Sequence, residues 1–189
     1  MCITRCEFDV VDFEITMEEL TNASKILKFG KAVGIDNVDN EMIFSLMDAH
    51  PNVILKLFNS ILSTSEVAPE WVNGAIVPIH KKGPTSEPTN YRGITLMSCF
   101  GKLFLSILNQ RLLEFSVSNN ILHPSQLGFQ PGNRTSDAHI IMNNLIQKLC
   151  HKKNSKIFSC FVDFSNAFDS VPRDMLLNKL LSYNITEIF

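Results

Sequence analysis

No C-x-x-C pair occurs in this 189-residue chain, and its five cysteines, Cys2, Cys6, Cys99, Cys150 and Cys160, are scattered without a histidine cluster beside them. That pattern excludes a zinc-ribbon type of site and gives no disulfide framework. Reduced thiols in an intracellular protein are the expectation. Long hydrophobic runs are missing too. The most apolar segment, residues 94–108, is broken by Lys102 and is too short to cross a bilayer. The acidic start lacks the basic and apolar regions of a signal peptide, so a soluble protein without a membrane partner is expected. Charge of one sign is not in excess, the net value being −2, and no global field advertises a nucleic-acid partner. There is also no internal repeat, low-complexity tract or evident linker.

A hydrophobic content of 45% with 19% charged residues is that of a globular chain, long enough for one domain with a real core or for two small ones. The charges are unevenly spread. The first twenty residues hold Glu7, Asp9, Asp12, Glu14, Glu18 and Glu19 against Arg5 alone. Between residues 71 and 113 the balance reverses, with Lys81, Lys82, Arg92, Lys102 and Arg111 against Glu87. If the protein meets phosphates, this middle stretch is where to look.

The local signals run in a clear order. Thr16 and Glu19 have the spacing of a capping box, and Leu20, Ala23, Ile26 and Leu27 give the helix behind it an apolar face that Gly30 is expected to end. A Gly- and Asn-containing loop holding Lys31 and Asp36 leads to an apolar segment near Met42–Met47. A helix follows over residues 53–62, with Ile54, Leu57, Phe58 and Ile61 inward. Residues 71–80 read as a strand, placed at a sheet edge by Pro78, and Tyr91–Leu96 as its returning partner across a long, mobile, basic tip. Leu96, Phe100, Leu103, Phe104, Ile107, Leu108 and Leu112 recur at three- and four-residue steps, the mark of an amphipathic helix with Lys102, Ser106, Asn109 and Gln110 on its wet side. A loop punctuated by Gly128 and Gly132 precedes a further helix that Thr135 can cap, with Ile141, Met142, Leu145 and Leu149 as its buried face.

The stretch from Ile157 to Asp174, IFSCFVDFSNAFDSVPRD, organises the rest. Its first eight residues read as a buried strand with Asp163 near the tip. A carboxylate there is costly to desolvate without a cation beside it. Asp169 follows six residues later, and Pro172 opens a helical stretch from Arg173 to Leu181. Taken alone, the segment is a core strand followed by a helix-capping Asp.

From about Gly30 onward the chain resembles the reverse transcriptases of non-LTR (LINE-type) retrotransposons. Four collinear blocks carry the resemblance: GKAVGIDNVDNEMI; WVNGAIVPIHKKG with NYRGITLMSCFGKLFLSIL; SQLGFQPGNRTSDAHI; and FVDFSNAFDSVPRDML. The chain departs from the family pattern at Val33, Ile35 and Asn37, at Gly93 and at Gln130, and it contains no Asp-Asp dipeptide. The resemblance implies an α/β (α+β) right-hand polymerase fold, represented by fingers and a partial palm and cut before the paired-aspartate motif. Residues 1–29 would be an acidic, helical N-terminal extension, 30–154 the fingers and connecting helices, and 155–189 the start of the palm.

The implied activity is RNA-directed DNA synthesis from deoxynucleoside triphosphates, on an RNA template and a DNA primer, in the nucleus, with the remaining palm and thumb as partner. Such enzymes use two Mg²⁺ ions. By resemblance Asp163 and the backbone carbonyl of Phe164 are metal ligands, with Asp163 the catalytic carboxylate. Lys81 or Lys82, together with Arg92, would contact the triphosphate, and Phe168 would lie under the incoming sugar. Asp169, Gly128 and Gly132 take structural places. With one aspartate for two ions, the chain alone is expected to be inactive, and the alternative reading is a non-catalytic nucleic-acid-binding remnant. A haloacid-dehalogenase-like phosphatase also ends a strand in Asp, but it needs a second Asp where Ser165 stands.

Overall fold

A computed structural model describes residues 13–151, 155–165, 167, 168, 170–183 and 185. These carry seven α-helices and one two-stranded antiparallel sheet, and the chain divides into two compact units. One unit comprises residues 1–114 and 181–189, the other residues 115–180.

The first unit begins with helix α1 (Met17–Ser24), whose capping box forms as the spacing predicts. The Glu19 N–H donates to Thr16 Oγ1 at 3.2 Å, and the Thr16 N–H donates to Glu19 Oε2 at 2.8 Å. The helix stops six residues short of Gly30, however, and Ile26 is exposed. Three-residue turns from Ala23 to Ile26 and from Ser24 to Leu27 unwind the chain before the apolar period is complete. Asp39 caps α2 (Asn40–Ala49), accepting from the Met42 N–H at 2.7 Å. Pro51 occupies the first turn of α3 (Pro51–Thr64), where its missing N–H costs nothing. Ile54, Phe58 and Ile61 are buried as expected, but Leu57 is not.

Trp71 lies in a short helix, α4 (Pro69–Val72), not in the strand expected over residues 71–80. Its ring meets Phe58 edge-on at 5.9 Å, stacks on Phe100 at 6.2 Å, and closes an aromatic cluster with Phe104. Such pairs add to the burial of their own area. Strand β1 is therefore shorter, Ala75–His80, and pairs antiparallel with β2 (Tyr91–Leu96). Helix α5 (Cys99–Ser118) buries Cys99, Leu103, Phe104, Ile107 and Leu108. Burial pushes the Cys99 thiol above its ordinary range, which keeps it protonated and unreactive. Two polar ties draw the N-terminal segment onto this core. The Asn59 side chain pairs with both backbone groups of Ile15, accepting at 2.6 Å and donating at 3.0 Å.

The other tie is Arg111. Its Nε and Nη2 reach Glu19 at 2.6 and 2.9 Å, while Nη1 and Nη2 donate to the carbonyls of Phe13 and Glu14 at 2.8 and 3.2 Å. The residue is only 9% exposed. Arg111 thus leaves the basic stretch of residues 71–113, its charge being spent inside the fold. Its fork holds the Glu19 carboxyl below the usual range, against the opposing effect of burial.

The second unit holds α6 (Thr135–Leu149) and most of α7 (Arg173–Ser182). Arg134 stands at the cap position of α6, with Thr135 already in the first turn. Asp137 reaches back to accept the Arg134 N–H at 2.7 Å. The expected buried face does not form, since Ile141, Leu145 and Leu149 are exposed. Helix α7 begins directly after Pro172, whose carbonyl accepts the Leu176 N–H at 3.1 Å.

The expected strand over residues 157–164 is absent. The segment carries no regular secondary structure, and Phe158 is 92% exposed. A strand is stabilised by the ladder of a neighbour, and among the described residues the only ladder is β1–β2. No helix of the described residues is long and apolar enough to cross a membrane.

Candidate functional site

The β1–β2 hairpin belongs to the first unit, and its register decides which side chains share a face. Ile79 lies opposite Arg92, and His80 opposite Tyr91. Because side chains alternate along a strand, Val77, Ile79, Arg92 and Ile94 stand on one face, and His80, Tyr91 and Thr95 on the other. Lys81 continues the pairing by one step, its N–H donating to the Asn90 carbonyl at 2.8 Å. It therefore falls on the Arg92 face, whereas Lys82 enters the bend. Both lysines and Arg92 are exposed, and none of the three makes an ion pair among the described residues.

The hairpin tip is tied down rather than loose. His80 Nε2 lies 2.9 Å from the Gly83 carbonyl, the Tyr91 hydroxyl donates to the Thr85 carbonyl at 3.0 Å, and Asn90 Nδ2 donates to the Pro84 carbonyl at 2.9 Å. Gly83 has φ +89°, a conformation that favours glycine. A short 3-10 turn, Pro88–Asn90, returns the chain to β2.

The second unit carries the remaining sequence-predicted residues. Asp163 is exposed, and no group among the described residues pairs with it. Phe164 is 75% exposed and Phe168 73% exposed. Phe168 is thus not buried among the described residues. Its ring meets Phe129 edge-on at 6.0 Å. Phe129 holds φ +61°, an uncommon conformation for a bulky residue, in the loop between Gly128 and Gly132. A Cβ on either glycine would meet nothing within 4 Å, so at Gly132 the need for glycine is its φ of +83°. Ser165, Ala167, Phe168 and Ser170 lie in turns, with Ser170 Oγ donating to the Ala167 carbonyl at 3.2 Å. Asp169, expected to take a structural, helix-capping place, lies outside the described residues.

Two divalent ions need several hard oxygen ligands. Among the described residues no group of three or more His, Cys, Asp or Glu side chains could hold a metal ion, and Asp163 supplies a single carboxylate. The residues present do not by themselves fit a two-metal centre. Sequence reasoning missed Arg111 as a structural residue. The signal that could have found it was its position one helical turn past Leu108 on the apolar face of α5.

With this geometry in view, the comparisons with known proteins agree on one class. The reverse transcriptase (RNA-dependent DNA polymerase) family matches residues 79–188, more than half of the chain. The chain belongs to that family. It is 32% identical over 168 residues, 88% of its length, to the probable RNA-directed DNA polymerase from transposon BS of Drosophila melanogaster. It is also 29% identical over 167 residues, 87% of its length, to the RNA-directed DNA polymerase from mobile element jockey of the same organism. A more distant relative, the transposon TX1 uncharacterized 149 kDa protein of Xenopus laevis, is 22% identical over 90% of the chain. The chain spans 18% of the first two relatives and 13% of the third. The similarity to the polymerases of non-LTR retrotransposons therefore covers most of this chain and a small part of each relative.

Proposed function

We propose that this chain forms part of an RNA-directed DNA polymerase of a retrotransposon, residues 30–154 serving as fingers with connecting helices and 155–189 as the start of the palm. Its substrates are deoxynucleoside triphosphates, an RNA template and a DNA primer. The observation that supports this reading most is the hairpin. It presents Lys81 and Arg92 on one face, each exposed and without an ion-pair partner among the described residues. Arg offers a planar fork and Lys a compact point charge, a combination suited to a polyphosphate. Of the two lysines we take Lys81 as the triphosphate contact, because carrying the alternation one step past His80 puts it on the Arg92 face. Phe168 takes the place beneath the sugar, where a ring leaves no room or hydrogen bond for a 2′-hydroxyl. Asp163 and the backbone carbonyl of Phe164 supply part of a centre whose other carboxylates lie outside the described residues.

The test is primer extension by a polymerase that joins these residues to the paired-aspartate portion of a relative. Asp163→Asn should abolish synthesis at unchanged folding, because it keeps shape and removes charge. Arg92→Ala should raise KM for the nucleotide by roughly one to two decades, the cost of leaving a charged partner unpaired. Phe168→Val should raise ribonucleotide use relative to deoxyribonucleotide use. Assayed alone, the 189-residue chain should give no extension with Mg²⁺ or Mn²⁺. Full activity in the Asp163→Asn polymerase would refute the carboxylate assignment, and extension by the chain alone would refute the need for further ligands.

A further inference from the structure

The basic tip of the hairpin is held together by Asn90 more than by any other residue. Its carbonyl accepts the Lys81 N–H at 2.8 Å, and its own N–H donates to the Glu87 carbonyl at 3.0 Å. Its side-chain Nδ2 donates to the Pro84 carbonyl at 2.9 Å. The amide also fills the space beside Gly83, where a Cβ would stand only 2.7 Å from Nδ2. One residue thereby links the arm that carries Lys81, the bend at residues 83–84 and the returning turn. The side chain must donate to Pro84, so an aspartate of the same shape would set a carboxylate against a carbonyl.

We infer that Asn90 is a positioning residue for anion recognition: by bracing the bend it keeps Lys81 on the same face as Arg92. The inference rests on the reading of this hairpin as a polyphosphate grip. A flexible lysine on an unbraced loop loses more freedom on binding than one on a braced loop, and that difference appears as affinity. Glu87 belongs to the same tip, its N–H donating to the Pro84 carbonyl at 3.3 Å, and it forms no ion pair among the described residues.

The experiment is calorimetric titration of the 189-residue chain with inorganic tripolyphosphate, with amide hydrogen exchange measured on the same samples. Lys81→Ala and Arg92→Ala should each weaken binding. Asn90→Ala should raise Kd by about fivefold to tenfold, the scale of one lost bracing hydrogen bond, while exchange across β1–β2 stays within about twofold. Gly83→Ala, which displaces the same amide from the other side, should do the same and should not add to Asn90→Ala. If Kd is unchanged in Asn90→Ala while Lys81→Ala and Arg92→Ala raise it, the grip stands and the role of Asn90 is overturned. Loss of affinity with a matching loss of strand protection, or full additivity with Gly83→Ala, overturns it as well. No response in any variant overturns the grip itself.

Discussion

Residues 13–114 and residues 115–180 use similar raw material and reach opposite outcomes. Both contain amphipathic helices and clusters of phenylalanine. In the first unit Leu20, Ile43, Ile54, Phe58, Leu103 and Ile107 are buried to 2% exposure or less. In the second no described residue is buried, and Phe129, Phe158, Phe161, Phe164 and Phe168 all stand open. The difference is one of cover. Around Phe58 the first unit brings α3, α4 and α5 together, so each apolar face has another to meet. The second unit has apolar periodicity on α6 and a β-branched and aromatic run over residues 157–164. Within the described residues no side chain of the former is buried and no strand pairs with the latter. Amphipathic pattern is a request for burial, and it is met only where a complementary face exists.

The comparison can be broken most severely at its centre. Phe58→Ala should destabilise the first unit by about 3–5 kcal/mol, because it empties the middle of the aromatic cluster with Trp71 and Phe104. Thermal denaturation would read this, and alkylation of Cys99 should become fast where it is slow in the native chain. A loss below about 1 kcal/mol would show that the cluster does not hold the unit together.

A smaller loss is expected at Arg111. Arg111→Met should cost about 2–3 kcal/mol, since the carbonyls of Phe13 and Glu14 and part of the Glu19 carboxylate lose their donor. This substitution also carries a pH signature. Glu19 is held below its ordinary value of 4.5 in the folded chain, chiefly by the hydrogen bond from Arg111. Its contribution to stability is therefore complete above that value and is lost as pH falls through the lowered native one. The native chain should lose stability on acidification in that window, and Arg111→Met should lose less. Denaturant titrations at a series of acidic pH values check it; parallel curves for the two chains would contradict the assignment.

The smallest effect belongs to the second unit. Phe158→Ser should change stability by no more than about 0.5 kcal/mol, as expected for an exposed position. It should also reduce the binding of an apolar dye, because the ring is 92% exposed. A loss of 2 kcal/mol or more would mean that Phe158 is packed in solution, and the contrast between the units would have to be redrawn.

What could be read from the sequence by itself were the features that a short segment settles alone. The Thr16–Glu19 box, the start of α7 behind Pro172, the bounds of β2 and the central part of the buried face of α5, Leu103 to Leu108, all depend on residues a few positions apart. Each was therefore legible without knowing the rest of the chain. The family blocks were legible for a related reason, being runs of residue types in a fixed order. Tertiary structure decided whatever needed a partner from elsewhere. Trp71 left the expected strand for a helix because Phe58, Phe100 and Phe104 offer its ring a place. Arg111 became an internal tie because Glu19 and the carbonyls of Phe13 and Glu14 come within its reach. Val77, Ile79 and Ile94 share a face with Arg92 because strand register assigns faces. Residues 157–164 stayed unpaired, since β-propensity states a readiness for a ladder and the hydrogen bonds must come from another strand.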